Sequence, residues 1–373
     1  MSASMTMSPL LSSVIIILLF LAAVSAAARP ENRQAAALFV FGDSVFDAGT
    51  NNFINTTADF RANFAPYGET FFKYPTGRFG DGRLIPDFIA EFARLPLFPP
   101  YLQPGKFRLA GGVNFASGGA GALVETYQGY VVSLEAQTRQ FEKLVKQLER
   151  ASGVESAQKT LADAVYMISI GANDYLFPLS NNSTAFQSQS HEEYVEMVVG
   201  NTAKAIKRIH KKGGRKFGLL KMPPLGCLPL TRAMAVSNSA GGCLEEIDGI
   251  VKLHNQVALP KALKKLEKKL DGFKYSVFDF YTSTVELINN PSKYGFKEGK
   301  TACCGSGRYR GNYSCGGKRG EMEYELCNHP SEYVFFDSIH ATERAYRHLA
   351  ELMWSGSPPI TGPYNMESLF KLA

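Results

Sequence analysis

Apolar residues in this chain gather in short unbroken runs that stop abruptly at small or polar residues. Leu38 to Gly42 read LFVFG and give way to Asp43-Ser44 and a Gly/Asn-rich turn. A run of that length, closed by turn residues, predicts a buried strand with a sharp loop at its carboxyl end. The pattern returns at 112–115, before Ala116-Ser117-Gly118-Gly119-Ala120-Gly121, and at 164–170, before Gly171-Ala172-Asn173-Asp174. It recurs at 217–220, ahead of Pro223-Pro224-Leu225-Gly226, and at 275–278. Between these runs the apolar spacing is helical. Leu134, Phe141, Leu144, Val145 and Leu148 form one stripe over 134–148; further helices are expected over 191–212, closed by Gly213-Gly214, and over 342–354. A helix over 244–270 contains Pro260, where a kink or restart is expected. Its inward stripe is Leu259, Leu263, Leu266 and Leu270. Lys261, Lys264, Lys265, Lys268 and Lys269 then face outward, as a solvated face and not a nucleic-acid site.

Strands apolar on both faces, alternating with helices, predict an α/β fold: a five-stranded parallel sheet covered by helices on both sides. Residues 53–104 break the rhythm. They are rich in Gly, Pro and aromatics and show helical spacing only over 84–92. No internal repeat, low-complexity segment or linker divides the chain, so residues 29–373 are expected to form a single domain.

The first 28 residues stand apart from that domain. They carry no charged side chain, 10–24 is almost wholly apolar, and Ser25-Ala26-Ala27-Ala28 precede Arg29-Pro30. This is the core and cleavage region of a secretory signal peptide, although the usual amino-terminal Lys or Arg is missing. Cleavage is expected within 26–28, and no other stretch is long and apolar enough to span a bilayer. The formal net charge of +6 survives removal of an uncharged segment and suits weak association with acidic wall polymers or anionic lipid.

Six cysteines in an exported chain make disulfides the default. Cys227 and Cys243 frame a sixteen-residue separation, and Cys303, Cys304, Cys315 and Cys327 cluster near the carboxyl end. The adjacent pair Cys303-Cys304 lacks the C-x₂₋₄-C spacing of a zinc site, so no metal is expected. Vicinal cysteines rarely pair with each other, which leaves Cys303 and Cys304 to bond Cys315 and Cys327 in either order. Glycosylation sequons occur at Asn55, Asn181, Asn182 and Asn312.

Three strand ends deliver polar or small groups to one edge: Asp43-Ser44, Gly118-Gly119 and Asn173-Asp174. Asp337 and His340 arrive just before the last helix. Acyl transfer needs this mixture. A serine hydroxyl needs an imidazole to take its proton, a carboxylate fixes that imidazole, and N–H donors meet the oxyanion. Taken singly, each residue is equally a turn, cap or surface residue. The G-x-S-x-G elbow, H-E-x-x-H and the Walker A sequence are absent, as is any G-x-G-x-x-G after a strand.

The residues FVFGDSVFDAGTNN (39–52), PTGRFGDGRLIPDFIAEF (75–92), GVNFASGGAGA (112–122), ISIGANDY (168–175), KFGLLKMPPLGCLP (216–229) and FFDSIHATE (335–343) carry a resemblance. In them the chain resembles the plant secreted GDSL esterase/lipases of the SGNH hydrolase superfamily, in particular the GDSL lipase subgroup. The resemblance implies a flavodoxin-like three-layer α/β/α sandwich, with Ser44 as nucleophile, His340 as general base and Asp337 orienting it. It implies an oxyanion hole of the Ser44 N–H, the Gly119 N–H and the Asn173 side-chain amide, with no cofactor. An extracellular, monomeric enzyme acting on small-molecule or lipid esters is the matching expectation. Three positions depart from the family pattern: Ala341 replaces the usual Pro, Thr50 a common Asn and Gly80 a frequent Ser.

Hydrolysis through an acyl-enzyme is the leading function, and transfer of the acyl group to an alcohol needs the same triad. A secreted binding or defence protein with vestigial catalysis is the reading from another class. No long amphipathic lid is visible, and most aromatics of 53–79 are expected to pack in the core.

Overall fold

The computed structural model describes residues 36–105, 111–180, 190–235 and 242–372. The expected signal peptide and the sequons at Asn181 and Asn182 lie outside the described residues. From Ala36 onward the described residues form one compact unit.

Strand β1 (Leu38–Gly42) is buried at all five positions and paired on both edges. Such burial on both faces is what a continuous apolar run permits. It is followed by α1 (Ile85–Phe92), β2 (Gly112–Asn114), α2 (Leu134–Ser152), α3 (Val154–Asp163), β3 (Val165–Ser169), α4 (Ala172–Ser180), α5 (His191–Lys211), β4 (Lys216–Leu220), α6 (Pro229–Met234) and α7 (Glu245–Leu253). A short π-helix, His254–Ala258, leads into α8 (Leu259–Lys269), and β5 (Lys274–Phe278), α9 (Phe280–Asn289), α10 (Glu343–Ser355), β6 (Thr361–Pro363) and α11 (Met366–Lys371) follow; between α9 and α10, Cys304–Gly305 and Glu325–Leu326 pair as a separate two-stranded sheet. The irregularity expected at Pro260 takes the form of that π-turn: the backbone stays helical from Leu253 through Leu259, and Pro260 follows in the first turn of α8. The five lysines of α8 are exposed and its leucines are turned inward.

The sheet order is β2-β1-β3-β4-β5-β6, a mainly parallel arrangement flanked by helices. Helices α2, α5 and α8 pack side by side in one layer, while α1, α10 and α11 pack together in another. The expectation of five parallel strands is corrected by a sixth: β6 lies antiparallel on the outer edge of β5. Three residues ending in Gly-Pro offer no apolar run, and an edge is where a sheet accepts proline. From β1 the chain first crosses to β2 on one side and then returns to β3 on the other. This reversal point, at the carboxyl ends of β1 and β3, is where open α/β sheets leave a crevice.

Disulfides join Cys227 to Cys243, Cys303 to Cys327 and Cys304 to Cys315. The order left open by the spacing is thereby settled. Among the described residues no cluster of His, Cys, Asp or Glu is arranged to hold a metal ion, and no helix is long and apolar enough to cross a membrane.

Candidate active site

The backbone leaving β1 cannot continue as an ordinary strand. Gly42 has φ +146°, and a Cβ there would run into the Ser169 carbonyl of β3. Gln137 of α2 holds the same glycine, accepting from its N–H at 2.9 Å and donating to its carbonyl at 2.8 Å. The turn that follows presents Ser44, and its Oγ lies 2.8 Å from His340 Nε2. His340 Nδ1 is 2.9 Å from both oxygens of Asp337.

Two residues separate Asp337 from His340, and the turn between them is closed by the same carboxylate. Asp337 Oδ1 accepts from the Ile339 and His340 N–H groups at 2.9 and 2.7 Å. The loop is anchored by the Phe336 N–H donating to the His340 carbonyl at 2.8 Å. This bond holds the backbone beside Ala341 without the proline of the family pattern. The His340 ring packs on Phe79, 4.9 Å between centroids. With Nδ1 facing a carboxylate, its proton belongs on Nδ1, which leaves Nε2 to accept from the serine hydroxyl. Burial by itself would raise the Asp337 carboxyl, but His340, the Arg319 guanidinium and the Tyr67 hydroxyl outweigh it and hold the group below the usual carboxylate range.

The glycine loop arrives beside this line and is far from slack. Asp47 Oδ2 accepts from the Gly118 N–H at 2.8 Å, and Asn51 Nδ2 donates to the Gly118 carbonyl at 2.8 Å. Asp174 accepts from Ala122 N, Leu123 N and the Thr126 hydroxyl at 2.8, 2.9 and 2.7 Å. Burial pushes the carboxyls of Asp47 and Asp174 up to about 6, against the hydrogen bonds that favour their charged forms. Asp43, beside Ser44, is pushed up to about 7, mainly by burial. With Gly118 occupied, the N–H groups of Ser44 and Gly119 have no hydrogen-bond partner among the described residues. Asn173 Nδ2, in the first turn of α4, spends one donor on the Ala120 carbonyl at 3.0 Å. Its second N–H is left for a ligand.

Ser44 and Asn173 share a small, solvent-open apolar pocket with Leu176, Leu225, Leu228, Phe280 and Leu349. A hydroxyl activated by imidazole, facing N–H donors beside an apolar pocket, can attack a carbonyl and hold its hydrocarbon part. The structure joins Ser44, His340 and Asp337 by hydrogen bonds, sets Asn173 on the pocket that Ser44 lines, and carries Gly119 on the loop whose Ala120 carbonyl Asn173 meets. Asn55 and Asn312 are exposed. Tyr67, Arg319, Asp47, Asn51 and Gln137 were not singled out by the sequence pattern, and Asp174 stood out only as part of a strand end. Asp47 and Asp174 fall within the quoted blocks, whereas Arg319 sits in a loop with no periodic signal.

The family model for GDSL-like lipase/acylhydrolase matches residues 38–353. "GDSL esterase/lipase 2" of Arabidopsis thaliana is 51% identical over 340 residues, 90% of either chain. "GDSL lipase" of Tanacetum cinerariifolium is 48% identical, over 91% of this chain and 89% of its own. "GDSL esterase/lipase 7" of Arabidopsis thaliana is 36% identical over 92% of this chain. A match across the five parallel strands and the ends that carry Ser44 and His340 settles the affiliation: the chain belongs to the GDSL esterase/lipase family of hydrolases acting on ester bonds.

Proposed function

We propose that the protein is a secreted serine esterase/lipase that cleaves carboxylic esters through an acyl-enzyme on Ser44. The observation that carries this reading is the unbroken line of Ser44 Oγ, His340 and Asp337, with successive separations of 2.8 and 2.9 Å. His340 takes the Ser44 proton as the oxygen attacks the ester carbonyl, and Asp337 stabilises the imidazolium. The proton then passes to the departing alcohol, and water repeats the sequence to free the acid. The oxyanion is met by the Ser44 and Gly119 N–H groups and the Asn173 amide. The apolar pocket takes the hydrocarbon part of the substrate. Export is supported by three formed disulfides, which persist in oxidising compartments, and by the amino-terminal sequence. The reading carries with it an extracellular monomer that needs no cofactor.

Replacing the nucleophile tests it. Ser44→Ala is expected to lower kcat on a short p-nitrophenyl ester by roughly 10⁴–10⁶-fold. A fluorophosphonate should label wild type at Ser44 and leave the variant unlabelled. Full activity in Ser44→Ala, measured in protein free of contaminating esterases, removes the reading.

A further inference from the structure

The Asp337 carboxylate is gripped from the side away from His340 as well. The Tyr67 phenol donates to Asp337 Oδ2 at 2.6 Å, and Arg319 Nη1 donates to that phenol oxygen at 2.6 Å. Arg319 is buried, and each of its three nitrogens donates one hydrogen bond. Its Nη2 donates to the Arg61 carbonyl at 2.6 Å, its Nε to the Ala58 carbonyl at 3.2 Å, and its guanidinium carbon lies 4.1 Å from the Tyr313 ring centroid. Tyr67 is packed edge-on against Phe64, Phe79 and Phe336. The same small core holds Cys303, Cys304 and Cys315, so the disulfide-stapled segment that contributes Arg319 is built onto the triad.

The donors all point one way: guanidinium to phenol, phenol to carboxylate. Each bond polarises the next, and chains of this kind strengthen in a low-dielectric interior. The guanidinium cannot give up its proton at any working pH, so the phenol's oxygen is held as an acceptor and its proton is committed to Asp337. Packing alone asks for an aromatic ring at 67, and does not ask for a hydroxyl backed by a buried cation.

We propose that Tyr67 and Arg319 are positioning residues of the triad: Tyr67 locks the Asp337 carboxylate, and Arg319 holds the phenol with its proton turned to that carboxylate. The inference rests on the serine-esterase reading above. Both residues act through Asp337, Tyr67 by its bond to Oδ2 and Arg319 by its bond to the phenol oxygen.

The test is kcat and KM on a p-nitrophenyl ester for wild type, Tyr67→Phe, Arg319→Gln and Arg319→Lys, with Ser44→Ala as control. Tyr67→Phe is expected to lose about 10-fold in kcat with KM little changed, since a hydrogen bond to a charged group is removed. Arg319→Gln should lower kcat in the same way, and Arg319→Lys, which keeps a cationic donor, should hold it near wild type. A merely structural role lowers stability or yield and leaves the kcat of the folded protein at wild type. If Arg319→Gln does not accumulate as folded protein, Tyr67→Phe decides by its kcat. Wild-type kcat in the folded variants, with Ser44→Ala inactive, overturns the proposal. A kcat in Arg319→Lys as low as in Arg319→Gln overturns the assignment to the cation. Activity retained in Ser44→Ala overturns the esterase reading instead.

Discussion

Gly119 combines two demands that no other residue type meets. Its φ of +80° lies in the left-handed region, and a Cβ would come within 2.5 Å of the Phe60 ring and 3.0 Å of Val131. Phe60 is itself wedged against Tyr127 and Tyr130, at 4.9 and 5.8 Å between centroids, so the ring has little room to retreat. A methyl group at 119 must therefore push the loop backbone, and with it the N–H assigned to the oxyanion. Gly119→Ala is expected to lower kcat by about 10²–10³-fold, the effect of losing one oxyanion donor, while KM changes little. Steady-state kinetics on a p-nitrophenyl ester check this. Loss confined to KM would argue that the loop shapes the pocket and not the oxyanion site.

At the scale of elements, the irregular segment between β1 and α1 is fastened by side chains in place of a backbone ladder. Arg78 makes a bidentate pair with Asp87 of α1, at 2.8 and 2.9 Å, and both side chains are buried. Arg83 reaches Glu343 at the start of α10 at 2.8 Å, and Asp81 accepts from the Glu343 N–H at 2.7 Å. Arg78→Met leaves the Asp87 carboxylate buried without its cation and should cost about 3–5 kcal/mol. Adding Asp87→Asn should recover part of the loss, because a neutral amide is cheaper to bury. Urea unfolding followed by the fluorescence of Trp354, the single tryptophan, measures both. Fastening of this kind has no sequence period, which is why 53–84 was unreadable while β1, α2 and α5 were plain from their apolar spacing. Ser44, Asp337 and His340 were legible because polar residues stood where apolar runs end. Tyr67 and Arg319 were not, since 252 positions separate two residues that share one hydrogen bond. Nothing in the spacing of the glycine loop shows that Asp47, Asn51 and Asp174 pin it from three sides.

Over the whole molecule, the buried carboxylates set how stability responds to pH. Burial pushes Asp43 up to about 7 and Asp47, Asp81 and Asp174 up to about 6. Each binds its proton more tightly folded than unfolded, so raising pH from about 4 toward 7 strips the unfolded chain first and favours unfolding. His254 acts the other way. It is buried, bonded to the Tyr175 hydroxyl at 2.7 Å, and held down at about 4, so the unfolded chain gains the proton as pH falls below about 6.5. Burial also lowers His348, in the same sense. Asp337, held below the usual carboxylate range, stabilises the fold fully above about pH 4 and loses that contribution only at lower pH. Four raised carboxylates outweigh the lowered histidines, and above about pH 6.5 the histidines no longer contribute while Asp43 still does. The melting temperature is therefore expected to fall from about pH 5 to about pH 7 and to level off toward pH 8. Asp43→Asn keeps the acceptor for the Val45 N–H and removes the charge, so it should raise the melting temperature at pH 8 more than at pH 5. Calorimetry across that range decides. A melting temperature that climbs from pH 5 to pH 8, or an Asp43→Asn offset equal at both ends, would show that the buried carboxylates remain charged throughout.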